Sequence, residues 1–184
     1  MRRRTALTLF FVGAPASLRA EGYRLGDYRA PVPETVPGGR RISTAEARRL
    51  HEAGGAVWVD VLPAPRRPHG LAADALWRPS PHRGIPGSLW LPEVGRGALP
   101  GALEAWFRDT LAHVMQGDLE RPLVLYCLSD CWMSWNAAKR AAGFGYRTVF
   151  WYADGVDAWE AAGLPTEVLR PVPGTSWEPP PEAQ

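Results

Sequence analysis

The sequence has 184 residues, of which 46% are hydrophobic and 22% are charged. This length and composition are typical of one globular domain with some terminal excess, and they exclude global disorder. The formal net charge of +2 belongs mostly to the amino terminus, because the chain without residues 1–20 has 17 basic and 19 acidic residues. That balance, without a clustered basic face, excludes a nucleic-acid-binding protein.

The first 20 residues are typical of a secretory signal peptide. A basic patch at 1–4 precedes an apolar run at 5–12, and small residues continue to Ala20. The apolar run is too short to span a bilayer, and no later stretch is long enough either. We therefore expect cleavage after Ala16 or Ala20 and export to the periplasm, where paired thiols are oxidised unless a reductant is supplied.

An extended arm, a helix and a strand are predicted after this leader. Residues 21–42 are rich in glycine and proline, which predicts an arm that lies over the domain surface. Ser43 and Glu46 form a capping box, so a helix begins there. A buried strand over 56–61 follows, with the carboxylate of Asp60 near its end.

The remaining pattern alternates strands with helices. The proline-rich stretch 62–83 is the longest irregular segment, and a loop of that length usually covers a site or is an insertion. After it the pattern predicts a turn and strand over 84–92, a helix over 103–115, a strand over 122–126, a helix over 134–142, a strand over 148–152 and a helix over 154–162. We therefore expect one α/β domain over 43–168 with an open, mainly parallel sheet, and a loosely held proline-rich tail at 169–184.

Both cysteines lie where a strand passes into a helix. Cys127 ends the apolar strand, and Cys131 follows four residues later, before the alanine-rich helix. Free N–H groups and the helix dipole at this position favour a thiolate at Cys127, and the loop 128–133 can direct N–H groups inward. Asp60 ends another strand and is expected at the same sheet edge. A buried inert thiol and a structural Cys127–Cys131 disulfide remain alternatives.

Several short motifs resemble the rhodanese family over residues 43–168. They are Val-Trp-Val-Asp-Val61, Gly84-Ile-Pro-Gly-Ser88, Leu-Val-Leu-Tyr-Cys127, Ala137-Ala138, Gly145-Tyr-Arg-Thr-Val149, Asp154-Gly-Val-Asp-Ala-Trp159 and Gly163-Leu-Pro165, in the family's order. The resemblance implies a rhodanese-like fold in which Cys127 carries sulfur.

The loop departs from the rhodanese pattern. Ser134 matches the family's loop serine, but Met133 stands where an arginine is usual, and bulky Trp132 lies beside it. Without that arginine, we do not expect phosphatase or arsenate reductase chemistry, and thiosulfate binding is weakened. The negative charge of Asp130 opposes both an anion and a thiolate. The loop residues Leu128, Ser129, Asp130, Trp132, Met133 and Ser134, together with Asp60, form the expected site around the cysteines.

Within the family, the stretch from Cys127 to Arg140 resembles a periplasmic subgroup named for a CXXCW motif. The subgroup is associated with catabolism that depends on pyrroloquinoline quinone (PQQ). Here the spacing is Cys-x-x-x-Cys-Trp, one residue longer. The resemblance implies a PQQ-dependent alcohol dehydrogenase or its cytochrome c as a partner.

Three functional hypotheses follow from these residues. In the first, a Cys127 thiolate accepts sulfur from a small donor as a persulfide, or accepts an oxidant, and Cys131 resolves the adduct without a required cofactor. In the second, a structural Cys127–Cys131 disulfide shapes a non-catalytic accessory module for the quinoprotein system. In the third, a quinone stacks directly on Trp132. His69 and His82 fit no standard zinc spacing with the cysteines, so we expect no metal site.

Overall fold

The computed structural model describes residues 22–72 and 74–174. The predicted signal peptide and the last residues of the predicted tail lie outside these ranges. Across the described ranges, no helix has the length and apolar character needed to cross a bilayer.

The chain alternates strands with helices, as the pattern predicts. In chain order the elements are β1 (Arg40–Arg41), α1 (Thr44–Ala53), β2 (Val57–Asp60), β3 (Arg83–Gly84), β4 (Leu89–Trp90), α2 (Gly101–Met115), β5 (Leu123–Tyr126), α3 (Trp132–Gly143), β6 (Val149–Tyr152), α4 (Gly155–Ala161) and β7 (Glu167–Val168). The predicted capping box at the start of α1 is present, with Ser43 and Glu46 bonded to each other's backbone N–H.

The main sheet has five strands in the order β1-β6-β5-β2-β4, and all its neighbouring pairs are parallel. Its central strands β2 and β5 are buried on both faces, which explains their nearly continuous apolar sequence. The register pairs Asp60 with Tyr126, so β2 and β5 end level with each other. The predicted mainly parallel sheet in a single α/β domain is therefore confirmed.

The helices cover both faces of this sheet. Helices α2 and α3 pack on one face, together with side chains such as Val59, Leu125 and Trp151. Helices α1 and α4 pack on the other face, against Trp58, Val124 and neighbouring aromatic side chains. Alternate residues of each strand therefore serve two separate cores, as expected for a pleated strand.

Three short strands were not predicted. Strand β1 lies at the end of the predicted arm and joins the sheet beside β6. Strands β3 and β7 form a separate antiparallel pair in which Arg83 lies opposite Val168. Strands of two residues give no periodicity that a sequence window can detect.

The prediction of a loosely held tail is wrong for its first residues. Leu169 is buried and donates its N–H to the carbonyl of His82, and the Val172 N–H donates to the carbonyl of Trp90. The reason is that β7 pairs with β3, which holds the residues after β7 against the end of the long loop.

Candidate active site

The two cysteines lie on either side of a tight loop between β5 and α3. Cys127 directly follows β5 and is fully buried, and Cys131 is the N-cap residue of α3 and is 3% exposed. The chain reverses at Asp130, whose φ of +49° is in the left-handed region that aspartate tolerates better than most residues. Helix α3 begins two residues earlier than predicted, so the loop is confined to 128–131. Both thiols are free.

The surroundings of the two sulfurs move their pKa values in opposite directions. A hydrogen bond from the Cys127 thiol is the main cause that lowers the pKa of Cys131 to about 7, and the backbone N–H groups of Met133, Ser134 and Leu128 add to it against the effect of burial. Burial is the main cause that raises the pKa of Cys127 well above its usual value, with a further contribution from the hydrogen bond to Cys131. Cys131 is therefore the sulfur that carries negative charge near neutral pH.

This arrangement contradicts the expectation that the strand-to-helix position favours a thiolate at Cys127. The free N–H groups at the start of α3 surround its N-cap residue, which is Cys131, while Cys127 lies deeper under the loop. No conventional hydrogen bond caps the helix through this sulfur.

Asp60 lies at the same sheet edge but belongs to a different polar cluster. Its Oδ1 accepts the Leu62 N–H at 2.9 Å, and its Oδ2 lies 2.8 Å from Nε2 of His82. The ring of His82 packs against Trp90 at 4.2 Å between centroids. The Asp60 carboxylate therefore orders the chain after β2 and holds the end of the long loop, and its charge adds to the raised pKa of Cys127.

His82 was not predicted as a partner of Asp60. Its side chain is 8% exposed, and it is 22 residues away from Asp60 in the sequence. The proline-rich loop between them has no periodicity that could indicate this return.

The front of the loop is fixed to helix α4. The Ser129 N–H donates to Oδ2 of Asp157 at 2.9 Å, and its hydroxyl donates to the carbonyl of Asp154 at 2.6 Å. The Val156 N–H donates to the carbonyl of Cys127 at 2.9 Å. A methyl group at Gly155 would meet the carbonyl carbon of Leu128 at 2.5 Å. Ser129 therefore anchors the loop, and its polar groups are used there instead of at the sulfurs.

The residues after Cys131 support the loop from the other side. The Ser134 hydroxyl donates to the carbonyl of Cys131 at 2.9 Å and accepts the Trp151 Nε1–H at 3.0 Å. The side chain of Met133 is buried in the core under α3. Ser134 thus holds the N-cap backbone in place through its hydroxyl.

The extended arm crosses directly over this loop. The Trp132 N–H donates to the carbonyl of Tyr28 at 2.8 Å, and the Ala30 N–H donates to the carbonyl of Asp130 at 3.2 Å. Arg29 consequently lies opposite Cys131 in an antiparallel bridge. The sequence predicted an arm on the domain surface but gave no signal that it covers the cysteines.

Side chains of α3 hold the arm on both sides of this crossing. Asn136 accepts the Arg24 N–H at 3.0 Å and donates to the Arg24 carbonyl at 2.9 Å. The indole N–H groups of Trp132 and Trp135 donate to the carbonyls of residues 31 and 35. The two indole rings also contact each other at 5.3 Å, so they pack together beneath the arm.

The metal-binding side chains near this site have other partners or lie apart. Within residues 22–72 and 74–174, the structure brings no three His, Cys, Asp or Glu side chains into a cluster that could hold an ion. His82 is used by Asp60, and His69 is exposed in the long loop.

Comparison with known proteins identifies the domain. A family model described as the rhodanese-like domain matches residues 43–162, which is more than half of the chain. Among curated proteins, none matches.

Solved structures with a similar arrangement have low sequence identity. The rhodanese-like domain of a protein from Anabaena sp. is 15% identical, with a TM-score of 0.47 and coverage of 81% of this chain and 96% of that one. An uncharacterised protein from Saccharomyces cerevisiae is 20% identical, with a TM-score of 0.42 and coverage of 67% and 92%. A variant of EanB in complex with hercynine is 20% identical, with a TM-score of 0.48, and the match covers 77% of this chain and 34% of that one.

Proposed function

This chain belongs to the rhodanese-like domain family, and we propose that it performs thiol-based transfer chemistry with its two cysteines. The observation that carries this proposal is the pairing of two free thiols whose pKa values are moved in opposite directions. A thiolate that is available near neutral pH attacks, and a neighbouring thiol that stays protonated resolves the adduct. A cysteine with an inert structural role needs neither property.

We assign the first attack to Cys131 and the resolving step to Cys127. The Cys131 thiolate attacks a substrate disulfide, forms a mixed disulfide and expels one substrate thiolate. Cys127 then gives up its proton to that thiolate and attacks the sulfur of Cys131, which expels the second substrate thiolate. The protein leaves as a Cys127–Cys131 disulfide and the substrate leaves as one thiol and one thiolate, so atoms, protons and electrons balance.

Sulfur transfer follows the same order with a small persulfide donor. Cys131 accepts the outer sulfur as a persulfide and releases the donor thiol, and an acceptor thiolate then removes that sulfur. The persulfide that the sequence places on Cys127 is less favoured, because Cys127 is fully buried and its raised pKa keeps it protonated.

We further propose that this chemistry takes place in the periplasm, beside a PQQ-dependent alcohol dehydrogenase or its cytochrome c. The leader-like residues 1–20 and the resemblance of the Cys127–Arg140 stretch to the CXXCW subgroup support this placement. Mass spectrometry of the mature chain from a periplasmic extract tests this placement. Cleavage after Ala16 and cleavage after Ala20 give different amino termini and therefore different masses. An uncleaved chain in the cytoplasmic fraction would contradict the placement.

One observation favours the second function, a non-catalytic accessory module. The arm crosses over Cys131, which is 3% exposed, and Cys127 has no exposed surface beneath the loop. In that role the same surface would bind the quinoprotein system and a Cys127–Cys131 disulfide would only fix the loop.

Reversible oxidation distinguishes the two functions. The chain is isolated without reductant, its thiols are counted, and it is then reduced and treated with a small disulfide or with a persulfide donor. Transfer chemistry predicts that the pair cycles between two thiols and a disulfide, and that Cys127→Ser accumulates the adduct on Cys131. If the reduced pair forms neither disulfide nor adduct, or the disulfide resists mild dithiols, the accessory function is correct.

A further inference from the structure

The arm is bound to the active-site loop in the way that one strand binds the next. Two backbone hydrogen bonds join residues 28–30 to residues 130–132, one from the Trp132 N–H to the Tyr28 carbonyl and one from the Ala30 N–H to the Asp130 carbonyl. These bonds lie on either side of the Arg29–Cys131 pair. The loop therefore offers one donor and one acceptor to any extended chain that runs antiparallel to it.

The register of this pairing has a chemical consequence. Because the two hydrogen bonds flank Arg29 and Cys131, these residues form a non-hydrogen-bonded pair, in which Cα atoms are separated by about 4.5 Å. A disulfide spans Cα distances of roughly 4.4 to 6.8 Å. A cysteine at the position of Arg29 would thus be close enough to form a disulfide with Cys131.

We propose that residues 130–132 are a docking strip for an extended, cysteine-containing segment of a protein substrate, and that residues 28–30 of the arm occupy this strip until the substrate displaces them. The substrate pairs with the Asp130 carbonyl and the Trp132 N–H, and its cysteine takes the place of Arg29 opposite Cys131. This inference rests on the proposed thiol chemistry and specifies its substrate class as a protein disulfide.

Backbone recognition favours a polypeptide over a small sulfur compound. The Asp130 carbonyl and the Trp132 N–H need a donor and an acceptor two residues apart, and an extended peptide supplies both in one piece. A small disulfide would leave these groups unpaired beside a buried sulfur. A small anionic sulfur donor would need an arginine at position 133 to bind its charge. That position holds Met133, whose side chain is buried in the core.

At the centre of the crossing segment, the side chain opposite Cys131 is not held by the domain. The side chain of Arg29 is exposed and makes no hydrogen bond or ion pair within the described part of the chain. The neighbouring Asp27 has a side-chain exposure of 90% and a left-handed φ of +44°. Tyr28 is the held side chain of the crossing: it packs against the core, and its hydroxyl accepts the Gly97 N–H at 3.2 Å. The other anchors lie outside the crossing, at Arg24 on one side and at Thr35 on the other. A substrate that takes the strip must therefore also release Tyr28, while Arg24 and Thr35 can stay bound.

The exchange step balances without a further reactant. The Cys131 thiolate attacks the substrate cysteine that lies opposite it, the bond between that cysteine and its disulfide partner breaks, and the partner leaves as a thiolate. Cys127 then gives its proton to that thiolate, attacks Cys131 and releases the substrate cysteine as a thiolate. The substrate disulfide is the oxidant and is reduced to one thiol and one thiolate.

A chain variant tests the register first. In a Cys127→Ser background, Arg29→Cys places a second sulfur opposite Cys131, and mild oxidation should link the introduced thiol to Cys131, as peptide mapping would show. The matched control is Asp27→Cys, which lies on the same exposed segment but out of register. Equal cross-linking of both variants would overturn the proposed alignment.

Peptide kinetics test the docking strip itself on the full-length Cys127→Ser chain. The probe is an eight-residue peptide that copies residues 25–32 with Arg29→Cys, its cysteine carrying a thionitrobenzoate disulfide. The first comparison probe has an N-methyl group on the alanine that corresponds to Ala30, and the second is free cysteine with the same thionitrobenzoate. We expect the unmethylated peptide to release thionitrobenzoate at least tenfold faster than the cysteine derivative. N-methylation should slow it by about fivefold, as expected for one lost hydrogen bond.

The outcomes separate this inference from the proposed function. If the cysteine derivative reacts as fast as both peptides, the thiol chemistry stands and the docking strip is wrong. If the two peptides react equally but faster than the cysteine derivative, backbone pairing is likewise wrong. If none of the three reagents reacts with Cys131, the proposed function fails together with the inference.

Discussion

The thiolate at Cys131 should depend on a proton donated by Cys127. A hydrogen bond from the Cys127 thiol is the largest cause that lowers the pKa of Cys131 to about 7. The substitution Cys127→Ala removes this donor while keeping a small apolar side chain in the same buried place. Cys127→Ser keeps a donor there and is the matched control.

The expected size of the effect follows from the strength of a hydrogen bond to a charged group. Such a bond contributes about 1.5 to 3 kcal/mol, and one pKa unit corresponds to about 1.4 kcal/mol. Cys127→Ala should therefore raise the pKa of Cys131 by roughly one to two units. At pH 7 the thiolate fraction would fall from roughly one half to between about 1% and 10%.

Ultraviolet absorbance of the thiolate measures this directly, because it does not require a reagent to reach the covered sulfur. A pH titration of the wild-type chain should show one thiolate forming with a midpoint near the Cys131 pKa of about 7. The midpoint should move up clearly in Cys127→Ala and little in Cys127→Ser. An unchanged midpoint in Cys127→Ala would refute the idea that the two sulfurs act as a donor–acceptor pair.

Three further predictions concern stability and access. Because the pKa of Cys131 is about 7 in the folded chain and 9.0 for an unperturbed thiol, the unfolded state binds more protons between these values. Denaturant titrations should thus show stability rising by about 2 kcal/mol from pH 7 to pH 9, and no such rise in Cys131→Ser. Asn136→Ala leaves the Arg24 N–H and carbonyl unpaired, so the free energy of unfolding should fall by about 2 to 4 kcal/mol in denaturant titrations. The same variant should speed the modification of Cys131 by a thiol reagent, and an unchanged modification rate would contradict the anchoring role of Asn136. Gly155→Ala should lower the melting temperature much more than Gly163→Ala, because both glycines have positive φ but only the first is crowded by the loop; equal losses would contradict this.

The sequence was sufficient for four of the five strands of the main sheet and for the place of Cys127 at its edge. Apolar runs such as 123–126 and the amphipathic spacing of 103–115 are long enough to give a clear period, and the capping box marks the start of α1. The order of these elements then determines that Cys127 lies at the carboxyl end of a parallel strand.

The sequence was not sufficient for the roles of the two sulfurs. The difference between them depends on the helix starting at Trp132, which makes Cys131 the N-cap residue and leaves Cys127 beneath the loop. Helix ends are the least certain part of a prediction from periodicity. Here the helix begins two residues earlier than predicted, and this difference places its free N–H groups at Cys131 instead of Cys127.

Contacts between distant parts of the chain were also beyond reach. The Arg29–Cys131 bridge joins residues far apart in the sequence through backbone groups alone, so no side-chain pattern indicates it. The Asp60–His82 contact likewise depends on the path of a proline-rich loop.

The order in which the two cysteines react, Cys131 first and Cys127 second, is open to direct measurement. Each single variant, fully reduced at pH 7, is mixed with an aromatic disulfide reagent, the reaction is stopped with acid at short times, and the adduct is mapped by mass spectrometry. The structure predicts that Cys127→Ser retains the adduct on Cys131, and that Cys131→Ser reacts at least about tenfold more slowly because its remaining thiol is buried and protonated. If Cys131→Ser reacts as fast as the wild-type chain and carries the adduct on Cys127, the assigned order is wrong and the order predicted from the sequence is correct.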